Sequence, residues 1–536
     1  MLKRIFYIAF STTLSGLLHA QEVRTTAIHL WNDQKVHVAG EDVWVDGIAG
    51  LAPFQTKTIV LRIINRNGTA VAETEIIPEN NRIQGVITLP ETLVSDYYFI
   101  DAYIKGMSST TSLCPIMVIH PNLPPVECTP QLTKNASIST SPISIQLKKN
   151  SVAPRSAIEF NTSGTDLLSQ ISIAAVLNDR LLELYDEDAK AQTLTIEHVQ
   201  TGELNQEGRI FSVVALQNGG PAKGIKLVAA HKIPNSAIAT ALTDQEGKAQ
   251  FILPLNFNDA DLVIHPASKD QKNIRIVLAN VELPATAVSY PCLKLNESMR
   301  TDLESRIFNS RVMKRYYGNA LRAVELSEPD SSDFYGKPDV VFFLDDYVRF
   351  PVLEEVISEI IPQVRVKKNK DEVLIQALNQ PLKAFFEGQA LLLVDGLPIS
   401  NAQLLLDTDP LLIRSIEIVS RKYIQGTIEF NGIVHFKTYK SDLAGLKPDA
   451  ALHYTLKTIQ AKTTYLPADH SAKKNRMPDL RNILFLERDV VPSQLRDGLR
   501  FYASDAEGKY KIILRGIDAQ NQSVTASSVI EVRRPD

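Results

Sequence analysis

Residues 390–399 read ALLLVDGLPI, residues 410–419 read PLLIRSIEIV, and residues 421–440 read RKYIQGTIEFNGIVHFKTYK. Each stretch is a short apolar or alternating run bounded by turn-forming residues, which is the pattern of β-strands in a small sheet. Asp395-Gly396 follows a continuous apolar run and marks a sharp chain reversal, with Pro398 just beyond it. Gly426 and Gly432 punctuate the third stretch, where the apolar and polar residues alternate up to Thr438. The segment ahead of these strands, FFLDDYVRFPVLEEVISEIIPQVRVKKNK (342–370), carries a helical stripe. Val352, Leu353, Val356, Ile357, Ile360 and Ile361 fall on one side, opposed by Glu354, Glu355, Ser358 and Glu359, with Pro351 suited to the first turn and Pro362 as the stop. The spacing predicts a helix over Val352 to Ile361, packed on a mixed sheet containing Leu391–Val394 and Ser415–Val419.

Outward from this region the chain is β-rich. Strand-like runs TIVLRIIN (58–65) and TAVAETEII (69–77) flank an Asn-Gly turn, and ITLPETL and YYFIDAYI follow. A second unit, ISIQLKKNSVAPRSAIEF (143–160), repeats the grammar of VHVAGEDVWV (36–45), with Pro154-Arg155 standing where the first has Ala39-Gly40. A third unit holds FSVVALQNGGPAKGIKLVAA (211–230) and TALTDQEGKAQFILPL (240–255), and its T-D-x-x-G turn has a counterpart in SDAEGKYKIIL (504–514). Between Leu293 and Tyr317 the pattern turns helical, with charges on most turns and neither Gly nor Pro in residues 295–317. A Ser/Asp/Pro-rich linker, SEPDSSDFYGKPDV, follows.

Composition sets limits on function. At roughly 100–200 residues per domain, 536 residues imply several domains. Apolar residues make up 44% and charged residues 22%, which is ordinary globular usage. A formal net charge of -4 gives neither a polycation for nucleic acid nor a basic face for anionic lipid. Lys3, Arg4, the apolar run to Leu18 and Leu18-His19-Ala20 before Gln21 form a signal-peptide pattern, so residues 1–20 are expected to be removed on export. No later run approaches ~18 apolar residues, so no membrane-spanning helix is expected. Of the three cysteines, Cys114 and Cys128 are close in sequence around the Pro-rich HPNLPP stretch. Either they pair and leave Cys292 over, or all three are buried as small hydrophobes; both readings stay open.

The order V-D-G-x-P, then I-x-S-I-E-I-V, then G-x-I-x-F-x-T resembles the plug domain of TonB-dependent outer-membrane receptors. The resemblance implies a small α+β plug-like domain over 336–440, with Asp395, Gly396, Pro398, Gly426 and Gly432 as its turn residues. About 96 residues (536 minus 440) follow Lys440, too few for a receptor barrel, so the expectation is a plug-like domain acting without a pore. VHVAGEDVWV and IQGVITLPETLVSDYYFIDAYIKGM (83–107) are similar to the opening and close of a macroglobulin-type domain. Taken together the chain resembles exported Bacteroidetes-type proteins that join macroglobulin-like modules to a barrel-less plug-like domain. The fold class expected is therefore mainly β and multidomain, with tandem Ig/macroglobulin-like β-sandwiches plus the α+β region. Its expected divisions are a signal peptide at 1–20, β-sandwiches at 22–122, 130–205 and 206–290, a helical segment and linker at 291–335, the plug-like domain at 336–440 and a β module at 441–536.

Motifs for chemistry are missing from the sequence: there is no H-E-x-x-H, G-x-S-x-G, P-loop or G-x-G-x-x-G, and no thioester C-G-E-Q around Cys292. His435 reads as a strand-face residue, and LDTDP (406–410) and NFNDADL (256–262) read as Asp-capped turns rather than Ca²⁺ loops. RVKKNK (365–370) reads as a solvated strand end. The expected function is a non-enzymatic cell-envelope docking protein that needs no cofactor or metal and recognises an outer-membrane or periplasmic protein. The alternative is a macroglobulin-like protein engaging proteases or substrates without a covalent bond.

Overall fold

The computed structural model describes residues 26–535 apart from 52–56, 106, 129–142, 167, 190–193, 199–208, 232–236, 254–259, 268–272, 280–285, 319, 326–332, 370–371, 427, 447–451, 457–458, 472–476 and 519–522. The signal-peptide expectation at 1–20 and most of the NFNDADL stretch lie outside the described residues. The fold is mainly β and multidomain, with several separate sheets.

The first unit is a continuous two-sheet sandwich over residues 26–119. Strands Ile59–Ile64, Ala70–Ile76, Asp96–Ile104 and Ser109–Ile119 form one side, and Thr26–Trp31, Asp42–Ala49 and Arg82–Thr88 the other. Alternating side chains such as Val43, Val45, Leu61, Ile63, Ile100 and Ile116 fill the core between them. The hairpin after Ile64 closes where Asn65 Oδ1 accepts the amides of Asn67 and Thr69.

The second unit departs from the expected division. Strands Ser144–Leu147, Ser151–Val152, Ala157–Ser163 and Ser169–Leu177 do not close a sandwich by themselves. They pair with Ile483–Val490, Leu499–Tyr502, Gly508–Ile517 and Ser523–Val532, so residues 143–177 and 483–532, placed in the separate stretches 130–205 and 441–536, build one discontinuous module around a shared core. The physical reason is closure. Ser169–Leu177 has one strand from the chain's end on each side, and without them both edges and the apolar face of Ile158, Phe160, Ile171 and Ile173 would be open. Two later elements of the 130–205 stretch belong to the first unit. Helix α1 (Arg180–Ala189) covers that unit's outer face, and Leu194–His198 pairs with Ser109–Ile119.

The third unit stacks two small sheets over residues 209–278, one of them extended by Leu452–Leu456. The helical pattern after Leu293 becomes a 3₁₀ turn at Glu297–Met299 and helix α2 (Arg300–Tyr316). Arg306 anchors α2, its guanidinium bonded to Asp179 and to the carbonyls of Val36 and Leu177. The disulfide joins Cys128 to Cys292, which corrects the Cys114–Cys128 alternative. Cys114 sits inside the first unit's core on a strand, so closeness in sequence does not bring its thiol to Cys128. The bond instead fixes the strap at 286–299 onto the sandwich, where Arg66 also donates to the carbonyls of Tyr290 and Pro291.

In the 336–440 region, helix α3 (Leu353–Ile360) packs Leu353, Val356 and Ile357 on a mixed sheet. That sheet contains Leu391–Val394 and Ile413–Val419, with Ile433–Thr438 between them, parallel to the first and antiparallel to the second. The helix begins one residue later than the stripe predicts, because Val352 has an extended backbone, and its side chain is exposed rather than packed. Val364–Lys368 pairs in a separate three-stranded sheet.

Candidate docking surface

Of the anticipated turn residues, Asp395, Gly396, Gly426 and Gly432 take positive φ, whereas Pro398 lies on a strand rather than in a turn, because the reversal is completed within Asp395-Gly396. Asp395 and Gly396 take φ values of 46° and 87°, which make the two-residue reversal between Leu391–Val394 and Leu397–Pro398. The Asp395 carboxylate accepts from the amide and hydroxyl of Thr438 and from the amide of Leu443, locking this hairpin to the last strand of the sheet. Pro398 pairs opposite Leu393. Gly426 tops the hairpin of Tyr423–Gln425 and Ile428–Phe430, which leans on the third unit through Thr240 and Ile238. At Gly432, with φ of 78°, a Cβ would stand 2.7 Å from the carbonyl of Val419, so only glycine fits.

One face of the sheet is sealed against the third unit. Leu391, Leu393, Val419 and Ile433 meet Val228, Ala230, Ile238 and Val263 there. A polar network lies at the edge of that contact. The Gly396 amide donates to His435 Nε2 at 2.9 Å, which fixes the proton on Nδ1, and Nδ1 donates to the Tyr335 hydroxyl at 2.7 Å. Tyr335 in turn donates to Glu417 at 2.7 Å. Burial holds the His435 imidazole down at about 4, outweighing the raising effect of Asp333. Burial raises the Tyr335 phenol, and its hydrogen bond to Glu417 adds to this.

Asp333, Glu417 and His435 offer three ligand atoms within 4.8 Å of one another, the geometry a metal ion would need. Lys437 stands in the same cluster, its ammonium 2.8 Å from Asp333 and 2.7 Å from Glu417. Burial alone would lower that ammonium, and the hydrogen bonds to the two carboxylates carry it above its ordinary value. The set is a closed ion network joining strand to strand.

The opposite end of the same sheet is open. Strand Val340–Phe343 pairs with Ile413–Val419 on one side and with no other described strand, so its outer edge is unpaired among the described residues. Phe343 is 53% exposed, and beyond it Tyr347, Val348 (81% exposed), Val352, Leu411 and Leu412 all present apolar surface. Arg349 organises the patch. Its guanidinium donates to the carbonyls of Pro410 and Ile413, to Asp345 at 2.6 Å and to the Tyr439 hydroxyl at 2.6 Å. The loops at 344–352 and 409–413 are therefore held side by side, with Tyr347, Val348, Val352, Leu411 and Leu412 turned outward while Leu344 and Ile413 enter the core.

The turn residues were readable from the sequence, whereas this patch and the Tyr335–His435–Glu417–Lys437 network were not. The available signals were slight: His435 and Lys437 two residues apart on one strand face, and Glu417 between Ile416 and Ile418.

No family model and no curated protein matches the chain in sequence. Among solved structures, a mutant of Salmonella alpha-2-macroglobulin is similar over 96% of this chain and 40% of its own, at 8% identity and a TM-score of 0.21. A tetra-tandem repeat from the extending region of a large adhesion protein matches 95% of this chain and 100% of its own, at 7% identity and a TM-score of 0.14. Dimeric latent PorU from Porphyromonas gingivalis matches 48% of this chain and 33% of its own, at 8% identity and a TM-score of 0.17. The chain thus spans less than half the length of the macroglobulin it matches.

Proposed function

We propose that this chain is a non-enzymatic docking protein of the cell envelope, and that the plug-like region at 336–440 contacts an outer-membrane or periplasmic protein partner. The observation that carries this reading is the exposed apolar patch of Phe343, Tyr347, Val348, Leu411 and Leu412 beside an unpaired sheet edge. Contiguous apolar surface next to free backbone donors and acceptors is what a protein partner covers, by side-chain burial, strand addition or both. The macroglobulin-like first unit and the modules beside it carry and space this surface. Export is supported by the leader pattern at 1–20 and by the Cys128–Cys292 disulfide, a bond that persists in oxidising compartments. Among the described residues no helix is long and apolar enough to cross a membrane.

Cross-linking in native envelopes tests the reading. A double variant Phe343→Asp/Val348→Asp should lose its specific cross-linked product while melting like the wild type, because both side chains are already in water. An unchanged product with this variant, lost instead on substitutions in the 26–119 unit, would move the docking role to the macroglobulin-like module.

A further inference from the structure

A second feature, remote in sequence from the docking patch, lies where the first unit, α2 and the chain's C-terminal strands meet. A cleft of about 240 Å³ opens there. Its walls divide by chemistry. Trp44 and Tyr465 form an aromatic wall, their rings 5.6 Å apart and edge to face. Met313, Leu321 and Ile483 give an aliphatic wall, and Glu41 lines the cleft beside them.

The acidic groups of the cleft are ion-paired with one exception among the described residues. Asp42 pairs with Arg322, Glu91 at the mouth pairs with Lys314, and Arg481 is taken by Asp479. Glu41 is different. Its carboxyl group, raised by burial, accepts from the Val38 amide at 3.0 Å, from Gln34 Nε2 at 3.4 Å and from the Ser310 side chain, all neutral donors, and the Arg306 guanidinium acts on it only at longer range. The nearby His37 Nδ1 is 3.9 Å away and belongs to a ring that burial keeps neutral. No lysine or arginine among the described residues forms an ion pair with Glu41, although its side chain is 18% exposed. A carboxylate without an ion-paired base, lining a slot with aliphatic and aromatic walls, suits a cation on a methylene stem. The stem loses water against apolar walls, and the charge meets both a counter-ion and aromatic faces.

We propose that this cleft receives an alkylammonium group, with Glu41 as counter-ion, Trp44 and Tyr465 as aromatic walls, and Met313, Leu321 and Ile483 around the stem. A lysine side chain presented by a polypeptide and a free small amine share this chemistry, and the test separates them. The site is independent of the docking patch, and either can fail without the other.

Isothermal titration of the full chain uses four probes: Nα-acetyl-lysine methylamide, n-butylamine, Nα-acetyl-norleucine methylamide and methyl glucoside. The lysine derivative is expected to bind saturably and about tenfold more tightly than the norleucine derivative, which keeps a similar stem without the charge. Binding of the lysine derivative well above that of butylamine assigns the cleft to a polypeptide side chain; equal binding assigns it to the ammonium head alone, and either supports the proposal. Glu41→Gln should reduce lysine-derivative binding about tenfold and leave norleucine-derivative binding unchanged. If that variant does not fold, the lysine-to-norleucine ratio on the unaltered chain decides. Equal binding of these two, preferential binding of the glucoside, or no heat with either amine would overturn the proposal.

Discussion

The turns at Gly40 and Arg155 stand at the same step of two β units. In each, a short strand runs parallel to its module's last strand, Val36–Val38 beside Met117–Ile119 and Ser151–Val152 beside Glu531–Val532. In each, a reversal follows with one residue at positive φ, 89° at Gly40 and 60° at Arg155. The next strand then sends alternate residues into the core, Val43 and Val45 in one unit, Ile158 and Phe160 in the other. The side chains differ. Gly40 leaves its turn bare at the rim of the Glu41 cleft. Arg155 accepts the left-handed conformation, at a cost of roughly 1 kcal/mol, and sends its guanidinium to Asp505 in two bonds of 2.6 Å. Asp505 comes from the far end of the chain. Backbone geometry is thus common to the two units, whereas side chain and connectivity decide whether the turn borders a cleft or ties distant segments together.

The strongest way to break this comparison is to remove residues 441–536. The first unit should persist, while 143–177 loses both flanking strands and becomes protease-sensitive. Limited proteolysis with mass spectrometry should show a protected 26–119 fragment and rapid cleavage within 143–177; protection of both would mean that the second unit closes without the C-terminal strands.

The next effect separates the units by pH. His37 stands where the second unit has Val152, and burial holds its imidazole down at about 3. A histidine whose folded value lies below its unfolded one binds fewer protons when folded. Stability therefore falls as pH drops below the ordinary histidine range near 6.5 and stops responding to this group below about 3. His37→Val should flatten chemical-denaturation stability between pH 6.5 and 4 relative to the wild type, by several kcal/mol at the acid end. Parallel pH curves for the two proteins would mean that His37 is not held neutral.

Three substitutions with smaller effects probe the turns themselves. Gly40→Ala should cost about 1–2 kcal/mol, since alanine pays the left-handed penalty and its Cβ would stand 3.0 Å from Glu91 Cγ. Arg155→Ala should cost about 1 kcal/mol or less, because the pair is partly solvated. Arg155→Gly should be close to neutral, as relief of the backbone offsets the lost pair. If Arg155→Gly is as damaging as a core truncation, the guanidinium holds the discontinuous unit closed to a degree that surface ion pairs rarely reach.

Periodicity made the α3 face legible, since Leu353, Val356 and Ile357 repeat at helical spacing and all three are buried. The same rule failed at Val352, because a helix stripe says nothing about where the backbone first turns helical. Turn chemistry made Asp395, Gly396 and Gly432 legible, as their positive φ values are a local demand. The patch around Arg349 was hidden because its loops are tied together by hydrogen bonds from Arg349 to residues 61, 64 and 90 positions away.

The sequence by itself determined what local forces decide: a mainly β chain, the repeated strand–turn–strand grammar of the first two units, the helix–sheet pairing of the 336–440 region, and its turn residues. Long-range packing settles which strands share a sheet, that Cys128 meets Cys292 rather than Cys114, that Lys437 pairs with Asp333 and Glu417, and that Glu41 lines a cleft with no ion-paired lysine or arginine among the described residues. Propensity and turn geometry act over a few residues and are written at each position. Strand partners, disulfide partners and charge balance depend on which distant surfaces are buried together, and a strand's pattern shows that it needs a neighbour without showing which one.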